Sequence, residues 1–117
     1  MHEAAIIEDL IRQVLQEAEK NRLQKISIIY LTVGRLHHLV PQTMGELFDL
    51  MKSEFPIMAG AILQTEIRPV RFVCRSCGSE TTAAASSFSC PDCRSTDIRI
   101  VSGYELILAS IEGEQNE

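Results

Sequence analysis

Cys74, Cys77, Cys90 and Cys93 constrain this chain more than any other feature, because they fall in the spacing C-x2-C-x12-C-x2-C. Two residues between thiolates let one tight turn present both sulfurs to a single ion, and two such turns complete a tetrahedron. In a secreted chain the same four residues would suggest two disulfides, with three possible pairings. The N-terminus carries Glu3, Glu8 and Asp9 where a signal peptide would carry positive charge. Export is therefore not expected, and a cytoplasmic, reducing location favours a metal site over disulfides. Gly78 follows Cys77 and tolerates positive φ as the chain turns past the ion. Pro91 stiffens the second turn, whereas Arg94 stands where a glycine would be comfortable, at an expected cost of about 1 kcal/mol.

From Val70 to Asp97 the apolar residues other than cysteine are Val70, Phe72, Val73, Ala83, Ala84, Ala85 and Phe88. They are too few to form a core, whereas structural zinc supplies roughly 10–16 kcal/mol of apparent binding energy to a small module. A closed four-cysteine site is most often structural zinc, although a rubredoxin-like iron centre uses the same ligands and C-x2-C pairs also serve as redox-active dithiols. The remainder of the 117 residues, at 45% hydrophobic and 23% charged overall, has the composition of one soluble globular domain. A net charge of −5 argues against an electrostatic hold on nucleic acid. No stretch approaches the roughly 18 apolar residues of a membrane-spanning helix, so no membrane partner is expected.

Hydrophobic periodicity predicts an amphipathic helix over 4–19, with Ile7, Leu10, Ile11, Val14, Leu15 and Ala18 on one stripe. Lys25–Val33 is β-branched and apolar on both faces, as a central strand would be, and Gly34 ends it before a loop over 35–40. Pro41 suits the first turn of a second helix carrying Met44, Leu47, Phe48, Met51 and Phe55, closed by Pro56 and Gly60. Ala61–Arg68 alternates as a half-exposed strand, Thr81–Ser87 reads as a solvated hairpin or loop, and Ile98–Glu112 is a strand bent at Ser102-Gly103. The tail from Gly113 to Glu117 is expected to fray. The expected fold is α+β: two helices on one face of a small three-stranded sheet, with an inserted zinc-ribbon-like module. The strands flanking the cysteines are expected to be neighbours. Residues 1–69 plus 98–117 would form a discontinuous α/β domain, and 70–97 the zinc module.

The opening Met1-His2-Glu3 has its own chemistry. A terminal amine, a neighbouring amide nitrogen and the His2 imidazole lie close enough to chelate one ion, and nitrogen-rich tetragonal coordination suits Ni(II) and Cu(II). Because His2 is bulky, Met1 is expected to be retained and to supply the amine. The bland alternative is a frayed, solvated imidazole.

Met1-His2-Glu3, the helix-strand-helix-strand order, Val33-Gly34-x-Leu36 before Pro41, the four-cysteine module, and Ser102-Gly103-Tyr104-Glu105-Leu106 followed by Ser110-Ile111-Glu112 occur together. The combination resembles the nickel metallochaperone family HypA/HybF, which matures nickel–iron hydrogenases, over residues 1–112. The resemblance implies nickel held through His2 with Glu3 in the same motif, and zinc held by Cys74, Cys77, Cys90 and Cys93. It implies as partners the nickel-handling GTPase HypB and the hydrogenase large subunit, and for some members urease maturation. Two positions depart from the family pattern: Arg35-Leu36-His37-His38 replaces a more acidic, small-residue loop, and Arg94 replaces the usual glycine. His37 and His38 are auxiliary-ligand candidates, set against the plainer reading of exposed loop residues.

The expected function is thus a non-enzymatic nickel carrier. The alternative is a zinc-ribbon interaction or nucleic-acid-binding module, against which stands the charge of 70–97, where Arg71, Arg75 and Arg94 are balanced by Glu80, Asp92 and Asp97. A thiol oxidoreductase is a third reading, disfavoured by the paired spacing of all four thiols.

Overall fold

The computed structural model of the chain describes residues 2–83 and 88–115; Met1, the His2 side chain, 84–87 and 116–117 lie outside that description. The architecture is α+β, with two helices and two three-stranded sheets. Helix α1, His2–Lys20, begins two residues before the expected start. Ile7, Leu10, Ile11, Val14 and Ala18 are buried along its stripe. On the wet face Asp9 accepts from Arg12 at 3.3 Å and from Gln13 at 2.9 Å, the i+3 and i+4 partners that a helix surface offers. Asn21 stops the helix as expected: its backbone and side-chain N–H groups both donate to the Glu17 carbonyl. Arg22 follows at φ 56°, a left-handed closing position usually given to glycine.

Strand β1, Leu23–Gly34, buries Ile26, Ile29, Leu31 and Val33 and takes the middle of the first sheet, whose order is β2-β1-β6. Helix α2, Pro41–Met51, has its proline in the first turn and buries Met44 and Phe48. Two 3-10 turns, Lys52–Glu54 and Pro56–Met58, lead on from it. Lys52 links this end of the helix to the next strand. Its ammonium lies 5.5 Å from the Phe48 ring centroid, donates to the Ala61 carbonyl at 2.8 Å and faces Asp49 at 3.2 Å. Strand β2, Ile62–Arg68, alternates between exposed and half-buried along its length, as its sequence demands.

The chain after β2 departs from expectation in three ways. The strand expected before the cysteines, β2, and the final strand β6, Leu106–Gln115, are not neighbours, because β1, apolar on both faces, lies between them; the segments that directly flank the cysteines, Arg71–Cys74 and Ile98–Ser102, do pair. The expected single strand from Ile98 is divided: β5, Ile98–Ser102, leaves for a second sheet of order β4-β3-β5, built with β3, Arg71–Cys74, and β4, Glu80–Thr82. The expected bend is real. Register slips between Arg71↔Ser102 and Phe72↔Ile100, which bulges Val101, and Gly103 then turns at φ 121°. Finally, Gly113 to Gln115 belong to β6 instead of fraying, and a Cβ on Gly113 would fall 2.2 Å from the Lys25 carbonyl oxygen. Of the expected loop at Thr81–Ser87, residues 81 and 82 close β4, and 84–87 lie outside the described residues.

Two compact units result. The first comprises 1–32, 39–66 and 107–117; the second comprises 33–38 and 67–106. The second is wider than the interval 70–97 marked by the cysteines, because β3 needs β5 as a partner and because 33–38 fastens onto 103–105. Gly34 N–H donates to the Glu105 carbonyl at 2.6 Å and Leu36 N–H to the Gly103 carbonyl at 3.0 Å. A Cβ on Gly34 would sit 2.1 Å from both the carbonyl carbon and oxygen of Gly103. Close backbone approach, not turn conformation, is therefore what Gly34 provides, since its φ is −71°. Gly34→Ala should destabilise the chain by about 2–3 kcal/mol. Gly45→Ala, in α2 with nothing within 4 Å of the added Cβ, should stabilise it by about 0.5–1 kcal/mol. Urea denaturation of the two variants checks both signs.

Candidate metal centre

Each C-x2-C pair sits in a turn of the same construction. Cys74 N–H donates to the Ser79 carbonyl at 2.9 Å and Gly78 N–H to the Cys74 carbonyl at 2.8 Å. The second turn repeats this, with Cys90 N–H to Ser95 at 2.9 Å and Arg94 N–H to Cys90 at 2.8 Å. Both turns close through a left-handed residue, Gly78 at φ 80° and Arg94 at φ 62°. The strain expected at Arg94 is thus present, in the position glycine fills in the first turn. The leading cysteine of each pair, Cys74 and Cys90, is buried, and the trailing one is exposed. Around them the turns are joined by Ser76 and Ser95, whose hydroxyls lie 3.0 Å apart, and by Arg75 N–H donating to the Asp97 carbonyl at 2.9 Å.

The four sulfurs lie within 4.8 Å of one another, with Cys74 to Cys93 at 3.5 Å and Cys77 to Cys90 at 3.6 Å. A tetrahedron with zinc–sulfur bonds of about 2.3 Å has edges of about 3.8 Å, whereas a disulfide would bring sulfurs to about 2.05 Å. All four thiols are free, and the arrangement fits a tetrahedral thiolate site. Proton affinity is already uneven across it. The Ser79 hydroxyl and backbone N–H, with Cys90, bring the Cys77 thiol down to about 6. The Cys77 backbone N–H holds Cys74 below the ordinary thiol range. For Cys93 the Ser95 backbone N–H acts downward, but hydrogen bonds with Cys74, Cys77 and Cys90, together with burial, outweigh it and push the thiol up to about 12. Thiolate formation therefore begins at Cys77, and a bound cation is what lets all four ionise together.

The other candidate residues lie apart from this cluster in the sequence and do not form a second group of three or more ligands among the described residues. Glu3 occupies the first turn of α1, where the helix dipole favours a carboxylate. His2 is the first residue of that helix, while its imidazole and the Met1 amine lie outside the described residues. His37 and His38 are exposed. His37 Nε2 lies 2.7 Å from the Tyr104 carbonyl oxygen; a carbonyl only accepts, so Nε2–H is the donor there. His38 turns at φ 54° and closes the short 3-10 turn Arg35–His37. Sequence reasoning did not foresee the Glu105 carboxylate, which its own and the Gly103 backbone N–H groups hold below the usual carboxylate range. The Gly103 N–H donates to it at 2.6 Å, bracing the 103–105 turn onto which 33–38 fastens. Its advance signs were the Ser102-Gly103 break in an otherwise apolar strand and its place in the Ser102-Gly103-Tyr104-Glu105-Leu106 stretch.

Relaxing the second turn tests this geometry. Arg94→Gly should stabilise the metal-loaded protein by about 1 kcal/mol and slow metal loss to a chelator, while Gly78→Ala should do the reverse by a similar amount. Thermal midpoints and chelator-competition rates read both effects.

Comparison with known proteins places this geometry in a family. The family model described as "Hydrogenase/urease nickel incorporation, metallochaperone, hypA" matches residues 1–113. The chain is 32% identical over 117 residues to the hydrogenase maturation factor HypA of Shewanella baltica, covering 100% of this chain and 99% of that one. It is 31% identical over 112 residues to the factor of the same name from Dehalococcoides mccartyi, covering 96% and 93%. The solution structure of the Ni metallochaperone HypA from Helicobacter pylori superposes with a TM-score of 0.71 at 25% identity, over 99% of this chain and 100% of that one. The helices, paired sheets and four-cysteine cluster are therefore those of a metallochaperone and not of an enzyme, and the chain belongs to the HypA family of hydrogenase and urease nickel-incorporation proteins.

Proposed function

We propose that this protein carries Ni(II) at its N-terminus and delivers it to the large subunit of a nickel–iron hydrogenase, working with the GTPase HypB in the cytoplasm. The observation that carries the reading is the family match, which runs from residue 1 through the four cysteines. The donors are the Met1 amine, a backbone amide nitrogen and the His2 imidazole, with Glu3 in the same motif. Two features of α1 support them. Because the helix begins at His2, the amides of its first turn have no intrahelical acceptor, so nickel can displace an amide proton without breaking a helical bond. A cation at a helix N-terminus meets an unfavourable dipole, and the Glu3 carboxylate offsets it.

Cys74, Cys77, Cys90 and Cys93 hold zinc, which closes the 70–97 module while the rest of the chain forms the nickel-binding domain. The alternative of a nucleic-acid module is disfavoured by the state of its arginines: Arg71 pairs with Glu80, and Arg75 lies 3.8 Å from Asp97. No helix among the described residues is long and apolar enough to cross a membrane, consistent with a carrier that meets its partners in solution.

Cys74→Ser should lose zinc and unfold the second unit while α1, α2 and β1 keep most of their amide protection. Elemental analysis and hydrogen exchange read this, and a zinc-free protein folded identically would contradict it. His2→Ala should weaken nickel binding by about 100-fold or more with zinc content unchanged. An N-terminal extension, which turns the Met1 amine into an amide, should be nearly as harmful, and replacing His37 and His38 with alanine should matter much less. Nickel affinity should fall as pH drops, because amine and imidazole must lose protons to coordinate. Calorimetric titration of these proteins decides among the ligands, and a loss confined to the His37/His38 variant would move the site to that loop.

A further inference from the structure

We propose that the groove between α1 and the end of α2 is a docking site for an amphipathic helix of a partner protein, one whose apolar stripe is flanked by lysine or arginine. The groove has a volume of about 500 Å³ and lies wholly within the first unit. Ile11 and Leu15 line one wall, one helical turn apart; Met51 and Phe55 line the other, on either side of the 3-10 turn Lys52–Glu54. Leu15, Met51 and Phe55 are only half-buried, and Leu50 on the rim is 73% exposed. An apolar groove walled by a helix stripe and the end of a second helix is the kind of surface that takes the apolar face of an amphipathic helix.

Charge selects the occupant. Glu8 and Glu54 stand exposed on the rim, one from each wall. The single rim cation, Arg12, is engaged by Asp9 at 3.3 Å, so its field is largely cancelled. Glu46 extends the acidic surface along α2, whereas Asp49 is engaged by Lys52 at 3.2 Å. A second copy of this chain is a poor fit, since a chain of net charge −5 would bring acidic rims together. A basic-flanked helix gains both the apolar contact and the rim attraction, and the attraction steers its approach. The surface is distinct from the ligands proposed for nickel and zinc, so the inference does not depend on either ion.

The test uses the full chain with its N-terminus and cysteines intact. Two synthetic amphipathic peptides share one leucine pattern, one flanked by lysine and the other by glutamate, and binding is followed by fluorescence anisotropy. The lysine peptide should bind, with affinity falling as salt rises. Leu50→Ser, an exposed position whose change leaves the core untouched, should weaken it about tenfold or more, with thermal midpoint as the folding control. Glu8→Lys combined with Glu54→Lys should reverse the preference, so that the glutamate peptide now binds better. Absence of binding, equal binding of both peptides, a preference unmoved by charge reversal, or self-association that depends on Leu50 would each overturn the proposal.

Discussion

Bringing four sulfurs within 4.8 Å of one another is the constraint on which the second half of the molecule depends. Each thiolate is expensive to hold near three others, and only a shared cation makes their common ionisation favourable. The chain meets the geometric demand by building one turn twice, down to the same backbone hydrogen bonds and the same left-handed closing residue. Short strands follow from this. β3 leads into the first turn, β4 leaves it and β5 leaves the second, so the sheet β4-β3-β5 is the frame that holds the turns in register. Val70, Phe72, Cys74 and Cys90 are buried around it, a core small enough that an ion bound by the four thiolates would supply stability that packing does not.

The second constraint is backbone contact. Gly34 and Gly103 approach more closely than any side chain allows, and the hydrogen bonds of Gly34, Leu36 and His37 to the 103–105 turn follow from that approach. The loop departure Arg35-Leu36-His37-His38 is accommodated there. Arg35, His37 and His38 face solvent, while the backbone carries the fastening.

In the proposed reading the two ions ask opposite things of the chain. A structural ion is best held by four strong ligands with both leading cysteines buried, and unit two provides that. A cargo ion has to leave, and the amine, amide and imidazole nitrogens proposed to hold it form a smaller donor set than four thiolates. The acidic groove between the helices would then give the first unit a surface for a partner while leaving the cysteine frame undisturbed.

How much could be read in advance differs by element. The stripe of α1, the proline start of α2, the apolar centre of β1 and the alternation of β2 were legible because local periodicity records which face is buried. The cysteine cluster was legible because ligand spacing is a local property of a turn, and Arg94 announced its strained φ because its place in the repeat is fixed by the cysteines. Pairing was another matter. Nothing in Ile98–Gln115 shows that its first five residues join β3 and its last ten join β1, since both halves have strand-like composition. The bulge at Val101 and the turn at Gly103 make the division, and the choice depends on which edges are free once β1 has taken the middle. Nor does the sequence reveal that 33–38 belongs with residues some seventy positions later: only the folded backbone shows that Gly34 is needed for contact, where the sequence suggested a strand end. Short-range chemistry and period are written residue by residue, whereas neighbours across a sheet are settled by competition among all the strands at once.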